Sequence, residues 1–304
     1  MNFDLTEEQE MFRDTFARFL DENSSTARVR KAVEQGGFDP AMWAGLAELG
    51  AFAMRVPEEA GGMGMGLFDA TILMEEAGRT LVSGPLAETL VAARLIASLG
   101  GQDDLLGRVI TGETVVTLAM HDLADAPQQW LAGGLVAEAV VARRGNDVVL
   151  LSVPAEARAA EANLASTPIA ELDLAALPAT VLGSGADAIA LFAGGLEEWK
   201  LLMASALSAL SRAALTMAAE YSGERKAFGV FIGTFQALSH PMADLICEID
   251  SAKFLVWKAL RSIADGEAAA GAQVSLAATD AAGTASRTAR HAEQTFGGIR
   301  LTPE

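Results

Sequence analysis

The stretch from residue 196 to residue 221 has helical periodicity and is apolar on nearly every face. Its longest apolar run, between Lys200 and Arg212, covers about half of the roughly 20 residues that a membrane-spanning helix needs. A helix that is apolar all round must be covered on most sides, by its own chain or by another subunit. The sequence therefore predicts a helical bundle built around this segment.

The rest of the chain divides by pattern. Residues 5–112 are helical in pattern throughout, and Thr6 and Gln9 are spaced as a capping box before the first helix. Further helices are predicted across 42–52, 67–79 and 86–99. The middle contains short Val- and Leu-rich runs at 115–119, 135–143 and 147–153, and an Arg-Gly-Asn hairpin joins the last two. The predicted fold is mostly α with a central β-domain. Its parts are an N-terminal α-helical domain at 1–113, a β-domain at 114–185 and a C-terminal α-helical bundle at 186–304 with most of the oligomer contacts.

The composition excludes several classes of protein. The chain has 304 residues, of which 51% are hydrophobic, and its acidic start lacks the basic residues and apolar core of a signal peptide. One cysteine and three scattered histidines offer neither a disulfide framework nor metal-ligand spacing. The net charge of -18 opposes nucleic-acid binding, and any polyphosphate site must be locally basic or completed by another chain. We expect a cytoplasmic protein without a membrane span.

The segment 225–236, RKAFGVFIGTFQ, brings a cation, two glycines and an amide around one bend. The guanidinium of Arg225 offers a bidentate fork to a pyrophosphate, and glycines let the backbone approach a ligand closely. The amides of Gln236 and Gln294 can hydrogen-bond a ribose or an adenine edge. A turn between two packed helices would explain the same residues without a ligand.

Two sets of residues, one in each half of the chain, occur in an order that is specific. The first is Val56-Pro57-Glu58-Glu59-Ala60-Gly61-Gly62-Met63-Gly64, followed by Asp69 and Glu75-Glu76-Ala77-Gly78-Arg79. The second is Tyr221, Arg225, Phe228-Gly229, Phe235-Gln236, His240, Ala243-Asp244, Gln294 and Gly297-Gly298. Both sets resemble the acyl-CoA dehydrogenase family of flavoproteins.

This resemblance implies an FAD-dependent enzyme that removes an α-proton and a β-hydride from an acyl-CoA thioester. It also implies that the flavin lies against the β-domain while the adenosine half of FAD reaches the helical domain of a neighbouring subunit. The residues that would then bind the cofactor are Arg225 and Phe228 at the pyrophosphate and its flank, Gln236 near the ADP ribose, and Gln294, Gly297 and Gly298 at the pyrophosphate. No metal is implied.

Other parts depart from the family pattern. His121 and Asp122 stand where a Thr-Glu pair followed by proline would meet the flavin, and Arg300 replaces a common glycine. One family position for the catalytic base lies beyond Glu304; the other falls near Trp199, with Glu198 beside it. The catalytic residue is therefore unassigned, with Glu198 as a candidate.

Three interpretations remain open. The chain is the shorter, complementary subunit of a heteromeric acyl-CoA dehydrogenase, a heterotetramer similar to the paired-subunit enzymes of bacterial steroid side-chain breakdown. It is a self-sufficient homo-oligomeric acyl-CoA dehydrogenase with Glu198 as base. Or it is a non-catalytic acyl-CoA binding or assembly protein. The sequence does not distinguish a fatty from a steroid acyl group.

Overall fold

The structure is a computed structural model that describes residues 5–159, 163 and 167–298. Its internal contacts divide the chain into two compact units. Residues 1–73 and 80–199 form the first unit, and residues 74–79 and 200–304 form the second. Helices at both ends of the chain flank a group of short strands, which confirms the predicted fold class. The three-domain boundaries stay a prediction, and Arg300 and Glu304 lie outside the described residues.

The first three helices begin at polar caps, which are Thr6, Ser25 and Asp39. The predicted capping box is confirmed, since Thr6 accepts from the Gln9 backbone N–H while the Gln9 side chain accepts from the Thr6 backbone N–H. The predicted helix across 42–52 instead ends at Glu48, because Gly50 adopts a left-handed φ of 80° and a short 3-10 turn follows. The helices of this part are α1 (Glu7–Asn23), α2 (Thr26–Val33), α3 (Pro40–Glu48), α4 (Leu67–Arg79), α5 (Leu86–Leu99) and α6 (Asp103–Ile110).

The strands form two small sheets in the first unit. They are β1 (Val116–Leu118), β2 (Gln128–Leu131), β3 (Ala139–Arg144), β4 (Asp147–Ser152), β5 (Ala170–Asp173) and β6 (Ala179–Ser184). One sheet has the order β1-β3-β4-β6, with β1 and β3 parallel, and the other pairs β2 with β5. The predicted hairpin joins β3 and β4, although β3 begins at Ala139 rather than residue 135. Leu131, Val140, Val149, Leu151 and Leu172 belong to one buried cluster beneath these strands.

The long apolar helix α7 (Ala186–Glu224) extends the predicted segment at both ends. By length and composition it could cross a bilayer, and 50% of its most apolar window is buried within the structure. Core helices of globular proteins share these properties. The chain continues through a hairpin of β7 (Lys226–Ala227) and β8 (Val230–Phe231) into α8 (Gln236–Ala264) and α9 (Ala270–Phe296). Leu215 of α7 packs with Leu245 and Ile249 of α8 in the second unit.

Within the second unit, the last turn of α4 lies directly against α7. A Cβ atom added at Gly78 would lie 2.1 Å from the backbone oxygen of Ala206. Because this is a clash with backbone, no side-chain movement can relieve it. We expect Gly78→Ala to lower the free energy of unfolding by about 1–3 kcal/mol through overpacking. Gly107→Ala in α6 is the matched control, since no atom lies within 4 Å of the added Cβ. It should stabilise by about 0.5–1 kcal/mol through helix propensity. Equal denaturation midpoints for the two variants would contradict the close contact.

Candidate functional site

One end of the second unit gathers the predicted cofactor-binding residues. The rings of Tyr221, near the end of α7, and Phe296, at the end of α9, have centroids 4.8 Å apart. His291 Nε2 of α9 lies 3.2 Å from the backbone oxygen of Leu238 at the start of α8. The end of α7, the start of α8 and the end of α9 therefore meet at one place, with the β7–β8 hairpin between α7 and α8.

This hairpin exposes an aromatic side chain at its tip. Phe228 and Gly229 have φ values of 53° and 85°, as in the two-residue type I′ turn. Asn or Gly ordinarily takes the first of these positions, and a bulky residue there is strained. Phe228 is nevertheless 97% exposed, which leaves its ring without a burial gain to offset that strain.

Three polar side chains at this end have no partner within the part of the chain that the structure describes. Arg225, Gln236 and Gln294 are exposed, and their side chains make no hydrogen bond or ion pair with any other described residue. Gly297 ends α9 with φ 63° and ψ −130°, a backbone conformation that favours glycine, and no atom lies within 4 Å of an added Cβ at Gly297 or Gly298. One bidentate cation, two amides and open glycine backbone thus face outward together.

Charge is distributed unevenly between the two units. The first unit carries 28 acidic and 11 basic residues, whereas the second carries 12 acidic and 11 basic. The first unit therefore holds nearly all of the net charge of -18. A polyphosphate is repelled much less by the second unit, where Arg225 lies.

The loop after β1 is held by its own chain. Gln129 is buried and bonds both backbone groups of His121, whose side chain is exposed. Asp122 accepts from the backbone N–H groups of Ala124 and Gly145. Burial alone would raise the pKa of Asp122, but these hydrogen bonds and the charge of Arg143 outweigh it and lower that pKa. The residues that replace the Thr-Glu pair therefore stabilise the loop and the β3–β4 hairpin.

Glu198 is a buried member of an ion-pair cluster within the first unit. Arg55 places Nε 3.0 Å from Glu198 Oε1 and Nη2 3.3 Å from Oε2. Arg94 Nε lies 2.7 Å from Oε2 as an ion pair, without the alignment of a hydrogen bond. Arg55 also donates to the backbone oxygen of Met65 in the glycine-rich loop. Both carboxylate oxygens face guanidinium groups, so Glu198 is poorly placed to accept a proton from a ligand.

A second buried glutamate was missed by the sequence analysis. Glu88, in the first turn of α5, is 5% exposed and accepts a hydrogen bond of 2.8 Å from the Trp199 indole N–H. Burial raises the pKa of Glu88, and the hydrogen bond from Trp199 only partly offsets this. The signal was present in the sequence, because Glu88 is the single acidic residue in the apolar segment LAETLVAARLIASL.

Comparison with known proteins finds family models that match the N-terminal and the C-terminal parts of the chain. The family model for the N-terminal domain of acyl-CoA dehydrogenases matches residues 6–113, and the model for the C-terminal domain matches residues 189–304. The acyl-CoA dehydrogenase IpdE2 of Mycolicibacterium smegmatis is 30% identical over 99% of this chain and 90% of its own length. This chain belongs to the acyl-CoA dehydrogenase family.

Solved structures of the family have the same fold. A variant of the Tcur3481-Tcur3483 steroid ACAD is 26% identical, covers 97% of this chain and 88% of its own, and superposes with a TM-score of 0.78. A chain of the ChsE4-ChsE5 complex from Mycobacterium tuberculosis is 23% identical over 99% of this chain and 90% of its own, with a TM-score of 0.83. Family membership makes this chain an acyl-CoA dehydrogenase by class, an oxidoreductase acting on a CH–CH bond.

The pKa of Glu88 gives a prediction about this acyl-CoA dehydrogenase. Between the ordinary pKa of 4.5 and the raised value, the native state holds a proton that the unfolded state has released. Stability contributed by Glu88 is therefore fully present below pH 4.5 and is lost as the pH rises through this window. Glu88→Gln cannot ionise, but its amide oxygen can still accept from Trp199. We expect the variant to gain stability relative to the wild type as the pH rises. Parallel urea midpoints for the two proteins from pH 4 to pH 9 would refute the assignment.

The strain at Phe228 predicts that one substitution raises stability and lowers flavin retention. Phe228→Asn places a residue that tolerates positive φ in the turn, so we expect the isolated chain to gain about 1 kcal/mol in unfolding free energy. The same change removes the exposed ring and should lower flavin retention in an assembled enzyme. Phe231→Asn is the control, because Phe231 has φ −65° and its replacement relieves no strain. A loss of stability in Phe228→Asn as large as in Phe231→Asn would show that the turn is not strained.

Proposed function

We propose that this chain is the complementary subunit of a heteromeric, FAD-dependent acyl-CoA dehydrogenase, and that the partner subunit supplies the catalytic base. The observation that carries this proposal is a contrast between two groups of residues. The donors expected for the distal half of FAD are exposed and have no partner among the described residues, whereas both oxygens of Glu198 are engaged by Arg55 and Arg94. One half of a flavin site is thus available, and the candidate base is not.

The residues present fit the phosphate half of FAD. Arg225 would hold the pyrophosphate through its planar fork, and Gln236 would hydrogen-bond near the ADP ribose. Gln294 would hydrogen-bond the pyrophosphate, where Gly297 and Gly298 would allow close approach of the backbone. When bound, FAD accepts the hydride that leaves the β-carbon of the acyl group. Phe228 would cover one side of the cofactor and exclude water there.

The flavin half and the acyl group would lie mainly against the partner. The loop containing His121 and Asp122 is already bonded to its own chain, which leaves few groups for a flavin ring. The 26% identical Tcur3481-Tcur3483 protein is described as a steroid ACAD and has two named components. We therefore propose a steroid acyl-CoA thioester as substrate and a heterotetramer with a homologous partner in the cytoplasm. Exposed Phe254 and Leu276 of the second unit would lie in its subunit contacts.

A self-sufficient enzyme is the second candidate, and one observation favours it. Proton abstraction requires a carboxyl group in a dry environment with a raised pKa, and Glu88 meets both conditions. In that reading Glu88, rather than Glu198, is the base. The side chain of Trp199 would then have to release it, because the indole N–H occupies Glu88 Oε1.

The colour of the purified protein tests the proposal. We expect the chain produced alone to be colourless after gel filtration, and the complex produced with its partner gene to absorb near 450 nm with one FAD per pair of chains. Stoichiometric FAD bound to a homo-oligomer of this chain would favour the self-sufficient enzyme. A stable complex that contains no flavin would exclude both enzyme interpretations and support the non-catalytic one.

A further inference from the structure

A cavity of about 460 Å³ opens on the second unit and is lined entirely by its residues. Its volume lies in the range of small-molecule pockets. Its apolar lining consists of Ala209, Ala213 and Met217 of α7 with Ile249 of α8, and Ser208 and Thr216 of α7 add two hydroxyl groups. The cavity exists because the α7 side chains that line it are mostly small. Met217, which also lines it, is 56% exposed. The cavity shares no lining residue with the hairpin site or with the Glu198 cluster.

The wall of this cavity carries an excess positive charge. Three cations line it, Arg79, Arg212 and Lys253, against two carboxylates, Glu75 and Glu76. Glu75 Oε2 lies 2.8 Å from Lys253 Nζ, and Glu76 Oε2 lies 2.7 Å from Arg79 Nε. One of the three lining cations therefore has no carboxylate partner in the cavity lining, although the chain as a whole has a net charge of -18.

The remaining cation is Arg212, whose partner Asp250 does not line the cavity. The side chains of Arg212 and Asp250 are 46% and 50% exposed, so solvent screens their ion pair and it contributes little to stability. A ligand carboxylate could replace Asp250 at little cost and would meet the guanidinium fork in a bidentate geometry.

We infer that this cavity binds an amphipathic monoanion, with its apolar body on the alanine-lined base and its carboxylate on Arg212. The ligand class is that of medium-chain fatty acids. The site is independent of the proposed FAD site and would be present whether or not the chain binds flavin.

The test uses decanoate, decanol and decylammonium in isothermal titration of the purified chain and of its complex with the partner. We expect saturable decanoate binding that is at least tenfold tighter than that of either other probe. Arg212→Gln should weaken decanoate binding at least tenfold. Arg261→Gln removes the same charge from another exposed arginine with an aspartate partner, and it should leave binding unchanged.

A cavity-filling variant provides a second, independent measurement. Ala213→Trp should abolish decanoate binding, whereas Ala219→Trp, on an exposed position of the same helix, should not. Equal affinity for decanoate and decylammonium would overturn the inference, as would equal effects of the two arginine variants or of the two tryptophan variants. Absence of saturable decanoate binding to both the chain and the complex would also overturn it.

Discussion

Replacing Arg225 with alanine is expected to raise the dissociation constant for FAD in the assembled enzyme at least tenfold. The guanidinium has no partner among the described residues, so its loss costs nothing within the chain itself. A charge-assisted hydrogen bond contributes about 1.5–3 kcal/mol, and 1.4 kcal/mol corresponds to a factor of ten. Flavin content per complex after extensive dialysis, read from absorbance, is the measurement.

Two matched variants sharpen this experiment. Arg225→Lys keeps the charge but not the planar fork, and we expect it to recover only part of the affinity. Arg261→Ala removes an exposed arginine whose ion pair with Asp265 is local, and it should retain full flavin content. If Arg225→Ala complexes keep as much flavin as Arg261→Ala complexes, the cofactor assignment of the whole motif fails.

Glu198→Gln is expected to have the largest effect on stability. The change leaves Arg55 and Arg94 partly buried, with side-chain exposures of 16% and 17%, and facing a neutral amide. Removing one member of a buried ion pair costs about 3–5 kcal/mol, because the remaining charge is left uncompensated. The free energy of unfolding from urea titration should fall by that amount.

The control for Glu198→Gln is Glu220→Gln, the same chemical change at an exposed position of α7. We expect Glu220→Gln to change stability by less than about 0.5 kcal/mol. If Glu198 were also the catalytic base, Glu198→Gln would stop the reaction even in complexes that remain folded. A role in the ion pairs alone predicts lower stability with activity retained in the folded complex.

Most helices and strands could be predicted, because local sequence patterns determine them. The Thr6–Gln9 capping box and the helices α4 and α5 follow from cap residues and periodicity within a few turns. Strand β2 could not be predicted, since its sequence Gln-Gln-Trp-Leu has little strand signal and the strand depends on pairing with β5, about 40 residues later. Helix α2 was missed because its eight residues carry several charges.

The candidate site shows the same division. Arg225, Phe228 and Gln236 are near one another in sequence, so their common location could be predicted, and Gln294 was added by the family resemblance. The partners of Glu198 could not be predicted, because Arg55 lies 143 residues away in sequence. The same holds for the pairing of Glu88 with Trp199, which are 111 residues apart. Burial of a carboxylate is decided by such distant contacts, and burial determines whether a glutamate is a structural ion pair or a candidate base.

The most direct test of the central claim is dye-coupled oxidation of fatty and steroid acyl-CoA thioesters by the isolated chain and by the complex. Each is compared with its Glu88→Gln form. We predict no dehydrogenation by the isolated chain, even with added FAD, and activity in the complex that Glu88→Gln leaves within about threefold. Activity of the isolated chain that falls by several orders of magnitude in Glu88→Gln would contradict the account and establish a self-sufficient enzyme.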